Sequence, residues 1–437
     1  MSDSILTPDF TDRSYWLTSA PAPRFASAAL PAEADVLVVG AGLTGLAAGH
    51  DLARGGRSVV ILDAGQPGEG ASSRNAGMLG RNTKHSFLGL SRSIGQDKAT
   101  RFFRDLDEVF RAALVRIKQE ALDCDYQQNG RIVLAHTPAQ FDGLRREYEA
   151  RKQHLGDDIS ILDGNLGDEI GSRQFCGGVL VHDNGAVHAG RFTQAFLRRA
   201  IAAGGQVVSD CPVLSIQSRG KGHLVRTSQG EIRARDVVLC TNGYTAGLVP
   251  WVSRRLIQIE SYLAATEPLP PDVIASIFPG NRTYIDTTRR PMSMRLSPDG
   301  RRVLFGSRTG EPRGQSIQET AALIHKDLTT VFPQLRGWKL SNVWGGRCGV
   351  TWDFFPHVGR HDGIHYALGY NFSGLAMAPW LGGILARQVQ GAPVDTDFQR
   401  RVFPGVVWPA RAFDAAATRR IIRFYGWRDH AAMRRTV

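Results

Sequence analysis

Hydrophobic and polar positions along the chain alternate between two periodicities. Val36 to Val39 form a short, unbroken apolar run, the pattern of a strand buried on both faces in a parallel sheet. Leu46, Ala47 and Leu52 then continue at helical spacing to Arg54, and Gly55-Gly56 stops the helix. Ser58 to Leu62 predicts a second strand, and Gly95 to Ala121 a long amphipathic helix whose stripe of Phe102, Phe103, Leu106, Val109 and Phe110 faces the core. Alternation with a period of two replaces this pattern over 256–262 and 292–296, with a turn at Ser297 to Gly300 leading into Val303 to Phe305, as in strands of an antiparallel sheet. Gln206 to Ile216 predicts a strand pair and His365 to Leu368 a strand, followed by a helix through Leu381 to Val389. No internal repeat interrupts the succession.

The whole spans 437 residues, too many for a single core, so two connected domains are expected. No apolar run is long enough to span a membrane, and the acidic N-terminus lacks a signal core. The 5 cysteines, Cys124, Cys176, Cys211, Cys240 and Cys348, are scattered without zinc spacing. A cytoplasmic, reduced enzyme with no metal is the expectation. The net charge of +12 is dispersed as isolated arginine pairs such as Arg145-Arg146 and Arg254-Arg255. That dispersion argues for a solvated basic surface and against a nucleic-acid partner.

Chemistry enters where the first strand turns into the first helix. Gly40, Gly42 and Gly45 supply G-x-G-x-x-G: a tight turn, an approach of backbone to a pyrophosphate, and close helix-on-sheet packing. Leu43 and Thr44 open the helix, whose free N–H groups face the phosphates. Asp63 ends the second strand about twenty residues later, placed with Ala64 to meet the adenosine ribose. A dinucleotide site follows, with NAD and FAD both open at this point.

The segment from Gly70 to Gly77, Gly-Ala-Ser-Ser-Arg-Asn-Ala-Gly, resembles the G-A-S-x-R-N-x-G segment of the D-amino-acid oxidase-like flavoproteins, the group that contains the glycine and sarcosine oxidases. The resemblance implies FAD, with Ser72, Ser73, Arg74, Asn75, Ala76, Gly77 and Met78 along its pyrophosphate and ring. It places Val213 at the adenine, Thr241, Asn242 and Gly243 near the phosphates and ribityl chain, and Gly369, Tyr370, Phe372, Ser373, Gly374 and Leu375 at the flavin N1–C2=O edge. A helix N-terminus there would meet the negative charge of the reduced ring. Ser14-Tyr15-Trp16, Asp123 to Tyr126, Gly185 to His188, Thr351 to Gly359 and Phe403 to Gly405 are similar, more narrowly, to the γ-glutamylputrescine oxidase-type amine oxidoreductases.

The implied fold is α/β: a discontinuous Rossmann-type FAD-binding domain, plus an α+β substrate domain whose antiparallel sheet lies over the flavin. The FAD-binding parts are read at 34–84, 181–250 and 342–390, and the substrate parts at 85–180 and 251–341. A C-terminal tail and helix occupy 391–437, with a basic, amphipathic piece from Phe413 to Trp427 expected to pack on the body. The implied reaction is oxidation of an amine C–N bond: a neutral amine gives up a hydride to flavin N5, and the imine hydrolyses. Tyr262, Trp344, Arg347 and Trp352 are the expected substrate residues, and His357 and Arg295 the candidates for a catalytic or carboxylate-holding role.

Departures from the family pattern narrow the choice. Relatives acting on α-amino acids carry an arginine three residues before the threonine of a T-x-D segment; here Cys348 stands there, and Arg347 sits one place earlier. One residue of offset in a strand turns a side chain to the other face, which favours a γ-glutamylputrescine-like or N-substituted amine. Cys348 also lies two positions from where the family's flavin-linking cysteine aligns, so non-covalent FAD is preferred over a Cys348-linked one. The family's oxygen-activating lysine has no counterpart, since no lysine occurs between Lys221 and Lys326. Molecular oxygen and another electron acceptor both stay open, as does oligomeric state. The alternatives are an amino-acid dehydrogenase passing electrons to a quinone and, from another class, an RNA-modifying flavoprotein.

Overall fold

In the computed structural model, which describes residues 4–21, 27–164, 166–310 and 315–406, the apolar run at 36–39 lies inside a strand, Glu33–Val39. It is parallel to Val59–Leu62 on one side and to Gly230–Leu239 on the other. The helix Leu43–Arg54 crosses between the first two, and the N–H groups of Gly55 and Gly56 close it on the Asp51 and Ala53 carbonyls respectively. Gln206–Val208 adds to the far edge of Val59–Leu62. The stretch 206–216 divides: its second half is the strand Val213–Arg219, in an antiparallel meander with Gly222–Thr227 and Gly230–Leu239. Ile364–Leu368 runs parallel to the end of Gly230–Leu239 and pairs with His357–His361, completing an eight-stranded sheet.

The second sheet has nine strands, ordered Leu6–Thr11, Leu340–Thr351, Leu256–Thr266, Val303–Ser307, Ser293–Leu296, Thr283–Asp286, Arg131–Ala135, Gly177–Val181, Ile159–Asp163. Both alternating segments and the turn at Ser297–Gly300 fall where the periodicity predicts, with the Gly300 N–H donating to the Ser297 carbonyl at 2.8 Å. The sheet is antiparallel except at two joins, Leu6–Thr11 with Leu340–Thr351 and Thr283–Asp286 with Arg131–Ala135. Leu340–Thr351 belongs to this second sheet, so the chain returns to the first sheet only at His357, later than residue 342. The strand's glycines, Gly345, Gly346 and Gly349, erase the alternation that would have revealed it. The segment Phe413 to Trp427 lies outside the described residues.

The stripe Phe102, Phe103, Leu106, Val109 and Phe110 on the helix Gln96–Gln119 is buried against the first sheet's helices. Among the helices of that core, Gly374–Val389 lies closely across Leu43–Arg54: a Cβ at Gly382 would stand 2.5 Å from the Thr44 carbonyl oxygen and 2.8 Å from the Ala47 Cβ. Among the described residues, no helix is long and apolar enough to cross a membrane and no group of side chains could hold a metal ion. The helix contact has a measurable consequence. Gly382→Leu should force the two helices apart and destabilise the protein by about 1–3 kcal/mol or more, read as a lowered thermal midpoint. An unchanged midpoint would mean that the contact is slack.

Candidate functional site

The carboxyl ends of the first sheet's parallel strands and the face of the second sheet enclose one cavity of about 2220 Å³. Drug-sized ligands fill roughly 300–1,000 Å³, so a dinucleotide and a second molecule fit together. Three distant chain segments meet at one end. Gly40 has φ +103°, and a Cβ there would press within 3.0 Å of the Cys240 carbonyl oxygen, so the turn requires glycine. The Ala41 N–H donates to the Asp63 carboxylate at 2.7 Å and the Gly65 N–H to its other oxygen at 3.0 Å. Burial pushes the Asp63 carboxyl up, and these backbone donors offset only part of that. Hydroxyl donors of a ribose would stabilise the charged form further.

The loop after Asp63 is fastened from several sides. Ser72 Oγ accepts the Leu43 N–H at 2.9 Å, which sets the loop against the helix start. Asn75 takes the Gly77 N–H at 2.8 Å on its side-chain oxygen and gives its NH2 to the Ala71 and Ser72 carbonyls. Ser14 Oγ donates to the Ser73 carbonyl at 2.6 Å and the Trp16 indole N–H to the Asn75 carbonyl at 2.7 Å, so the N-terminal Ser14-Tyr15-Trp16 motif is a clamp on this loop. Arg74 is engaged with the Glu69 and Gly345 carbonyls at 2.7 and 3.1 Å.

The third segment is locked to the other two. The Tyr370 hydroxyl donates to the Ala367 carbonyl at 2.9 Å and lies 2.6 Å from Thr44 Oγ1, while Asn242 Oδ1 accepts the Gly369 N–H at 2.9 Å. The helices starting at Leu43 and Gly374 both have N-termini without a side-chain cap, and both open on the cavity. Uncapped helix starts are acceptor-seeking, and these donors, with the glycine turn and the Asp63 carboxylate as acceptor, form a set that fits FAD.

Of the sequence-predicted cofactor residues, Gly40, Gly42, Leu43, Thr44, Asp63, Ala64, Ser72, Arg74, Asn75, Ala76, Met78, Val213, Thr241, Asn242, Tyr370, Phe372, Ser373, Gly374 and Leu375 line the cavity. Gly45, Ser73, Gly77, Gly243 and Gly369 stand behind the wall. A Cβ at Gly45 would lie 1.9 Å from the Gly40 carbonyl oxygen, and one at Gly77 2.6 Å from that of Val187.

Among the substrate candidates, Tyr262, Arg347 and Trp352 line the cavity. Trp344 does not. It is fully buried with Tyr15 and Trp16, and its indole N–H donates to the Arg74 carbonyl at 3.1 Å. Arg347 faces Glu260 across the strand pair, donating to its carboxylate at 3.2 Å, and the Tyr262 hydroxyl donates to the same group at 3.1 Å. Neither catalytic candidate reaches the cavity lining. His357 is buried against Phe403, ring centroids 4.4 Å apart, with Nε2 3.1 Å from the Asp353 carboxylate. Arg295 is buried among the Leu296, Gly77 and Val187 carbonyls at 2.8–2.9 Å. The alternation at 292–296 sets Arg295 on the face opposite Met294 and Leu296 but not what covers that face, and His357 opens a short strand with no period to read.

Several lining residues escaped the sequence reading. Lys84 lies on the wall, its ammonium 4.9 Å from the Phe372 ring centroid, and burial lowers it from the usual lysine value. The lysine-free interval 222–325 therefore does not leave the cavity without a lysine. Tyr244, Glu260 and Arg131 also line it. Arg131 carried a legible signal, a charge opening the apolar run Ile132 to Ala135. Cys348 lies near Lys84, but burial pushes its thiol up to about 12, so it stays protonated.

The fold and this donor set are those of a flavoprotein oxidoreductase. Residues 35–388 match the family model DAO, FAD dependent oxidoreductase, and the chain belongs to that family. It is 30% identical over 361 residues to the γ-glutamylputrescine oxidoreductase of Escherichia coli K12, covering 82% of this chain and 84% of that protein. It is 28% identical to the probable oxidoreductase OrdL of Haemophilus influenzae, covering 91% and 92%. The crystal structure of glycine oxidase from Geobacillus kaustophilus superposes with a TM-score of 0.71 at 23% identity, covering 85% of this chain and all of that one. The protein is an FAD-dependent oxidoreductase.

Two measurements probe the cofactor end. Gly42→Val leaves the backbone unstrained but puts a branched side chain on the cavity wall, within 2.9 Å of Ser72 Oγ for the Cβ alone, where a pyrophosphate would approach. The purified variant should be folded and colourless; full flavin absorbance would contradict the assignment. Acid precipitation of the wild type should release all FAD to the supernatant. Colour retained in the pellet, and lost in Cys348→Ser, would establish a covalent link.

Proposed function

We propose that this chain oxidises the C–N bond of a small amine, γ-glutamylputrescine-like or N-substituted, to an imine that water hydrolyses to an aldehyde or oxo product. The observation that carries the reading is the composition of the cavity wall. Tyr244, Tyr262, Trp352, Phe354 and Phe372 line it, while the buried His357 and Arg295 are bonded elsewhere. Support for the substrate class comes from the relative named for γ-glutamylputrescine. Bound FAD supplies the two-electron acceptor for the hydrogen leaving the carbon next to nitrogen.

The chain's own residues prepare the amine for that step. A substrate ammonium has a pKa of about 10.4 in water, and only the neutral amine has the lone pair that stabilises the developing imine. Desolvation between the aromatic side chains disfavours the charged form and lowers the pKa. Glu260 is partly neutralised by Arg347 and by the Tyr262 hydroxyl, so it opposes this shift less than a lone carboxylate would.

Flavin reduction by a good substrate under anaerobic conditions should therefore quicken with pH along a single ionisation below the free amine's pKa. His357→Asn should keep that ionisation, because it belongs to the bound amine. Loss of the pH dependence in this variant at unchanged flavin content would make the histidine the base and refute the mechanism.

A further inference from the structure

Among the described residues three arginines are buried, Arg131, Arg151 and Arg295. Arg151 meets Asp157, as the partly buried Arg81 meets Asp107 and Asp183. Arg131 has no such partner. It opens the strand Arg131–Ala135, is 3% exposed, and contributes to the cavity wall. Its contacts are all neutral: Asn82 Oδ1, Thr283 Oγ1 at 3.4 Å and the Leu79 carbonyl at 3.4 Å. The last two are at the outer limit of hydrogen bonding. No carboxylate among the described residues lies within ion-pair distance of it. Burial lowers Arg131 to about 10, which leaves it a cation at neutral pH.

An uncompensated buried charge is costly. Arg295 bears the same burden, but three backbone carbonyls hold it away from the cavity lining. Arg131 faces a space large enough for a ligand, with the planar fork that matches a carboxylate. Arg347 already has Glu260 as its partner.

We propose that Arg131 is the receptor for a carboxylate on the non-reacting part of the substrate, so that the chain selects amines bearing a carboxylate over plain alkyl amines. The inference rests on the amine-oxidising reading for its activity arm only. Asn82 is then a positioning residue, orienting the guanidinium from the side.

The test uses the holoenzyme and a series of simple carboxylates from acetate to glutarate, none with an amine to oxidise, beside the corresponding amides. Binding is read from the perturbed flavin spectrum and from the rise in melting temperature. At least one carboxylate should bind the wild type and its amide should not. Arg131→Met should weaken that carboxylate by roughly ten- to hundredfold, the value of a charge-assisted hydrogen bond. Arg131→Gln, which retains neutral hydrogen bonding, makes the same measurement if the Met variant does not fold. In turnover, Arg131→Met should raise KM for a carboxylate-bearing amine and leave KM for its amide unchanged. Equal carboxylate affinity in wild type and variants, or no preference of the wild type for any carboxylate over its amide, overturns the proposal. Failure of every amine to reduce the wild-type flavin would refute the functional reading instead, and the binding data would still decide Arg131.

Discussion

The Tyr370 hydroxyl, donating to the Ala367 carbonyl and accepting a hydrogen bond from the Thr44 hydroxyl, joins the start of the helix Leu43–Arg54 to a turn more than three hundred residues later in the chain. The rest of the site depends on this contact and two like it. Asn242 reaches from the end of Gly230–Leu239 to the Gly369 amide, and Arg74 reaches from the loop after Asp63 to the Gly345 carbonyl. Each bond is worth only about 1 kcal/mol net. Together they hold three strand ends in one register, so that two helix N-termini open on the same volume. Burial pushes the Tyr370 hydroxyl pKa up, which keeps it a neutral donor at any working pH.

Close approach is what makes the arrangement possible. The turn at Gly40, the packing of Gly45 on Gly40, and the crossing at Gly382 all place backbone where a Cβ would collide. The N-terminal Ser14-Tyr15-Trp16 clamp then secures the loop 70–77 from outside. That clamp also explains why Trp344 is a core residue: its ring completes the packing of Trp16 and Tyr15 behind the loop.

The other half of the cavity has different electrostatics. Its wall is aromatic, and Lys84 and Arg131 add positive charge without an ion pair among the described residues, whereas Arg347 and Glu260 neutralise each other. A wall of this kind disfavours an ammonium and favours an anion. The chemistry proposed for this chain, oxidation of a neutral amine tethered to a carboxylate, makes use of both preferences.

The sequence alone determined the elements whose signal is local. The strand, glycine turn, helix and acidic strand end at 36–63 are legible because each residue type answers to a backbone constraint nearby. The alternations at 256–262 and 292–296 are legible because a sheet with a covered face repeats every two residues. What only the tertiary structure decided concerns direction and pairing. The place of Leu340–Thr351 in the second sheet was not legible, because its glycines carry no periodicity, and its pairing with Leu256–Thr266 decided it. Arg131 turned toward the cavity and His357 and Arg295 into the protein, since what covers each face of a strand is set by the fold; Lys84 lies in the loop before the helix Phe87–Ile94, where no period assigns a face. Trp352 and Trp344, alike as tryptophans of one segment, were separated into wall and core by which neighbours the fold brought to each.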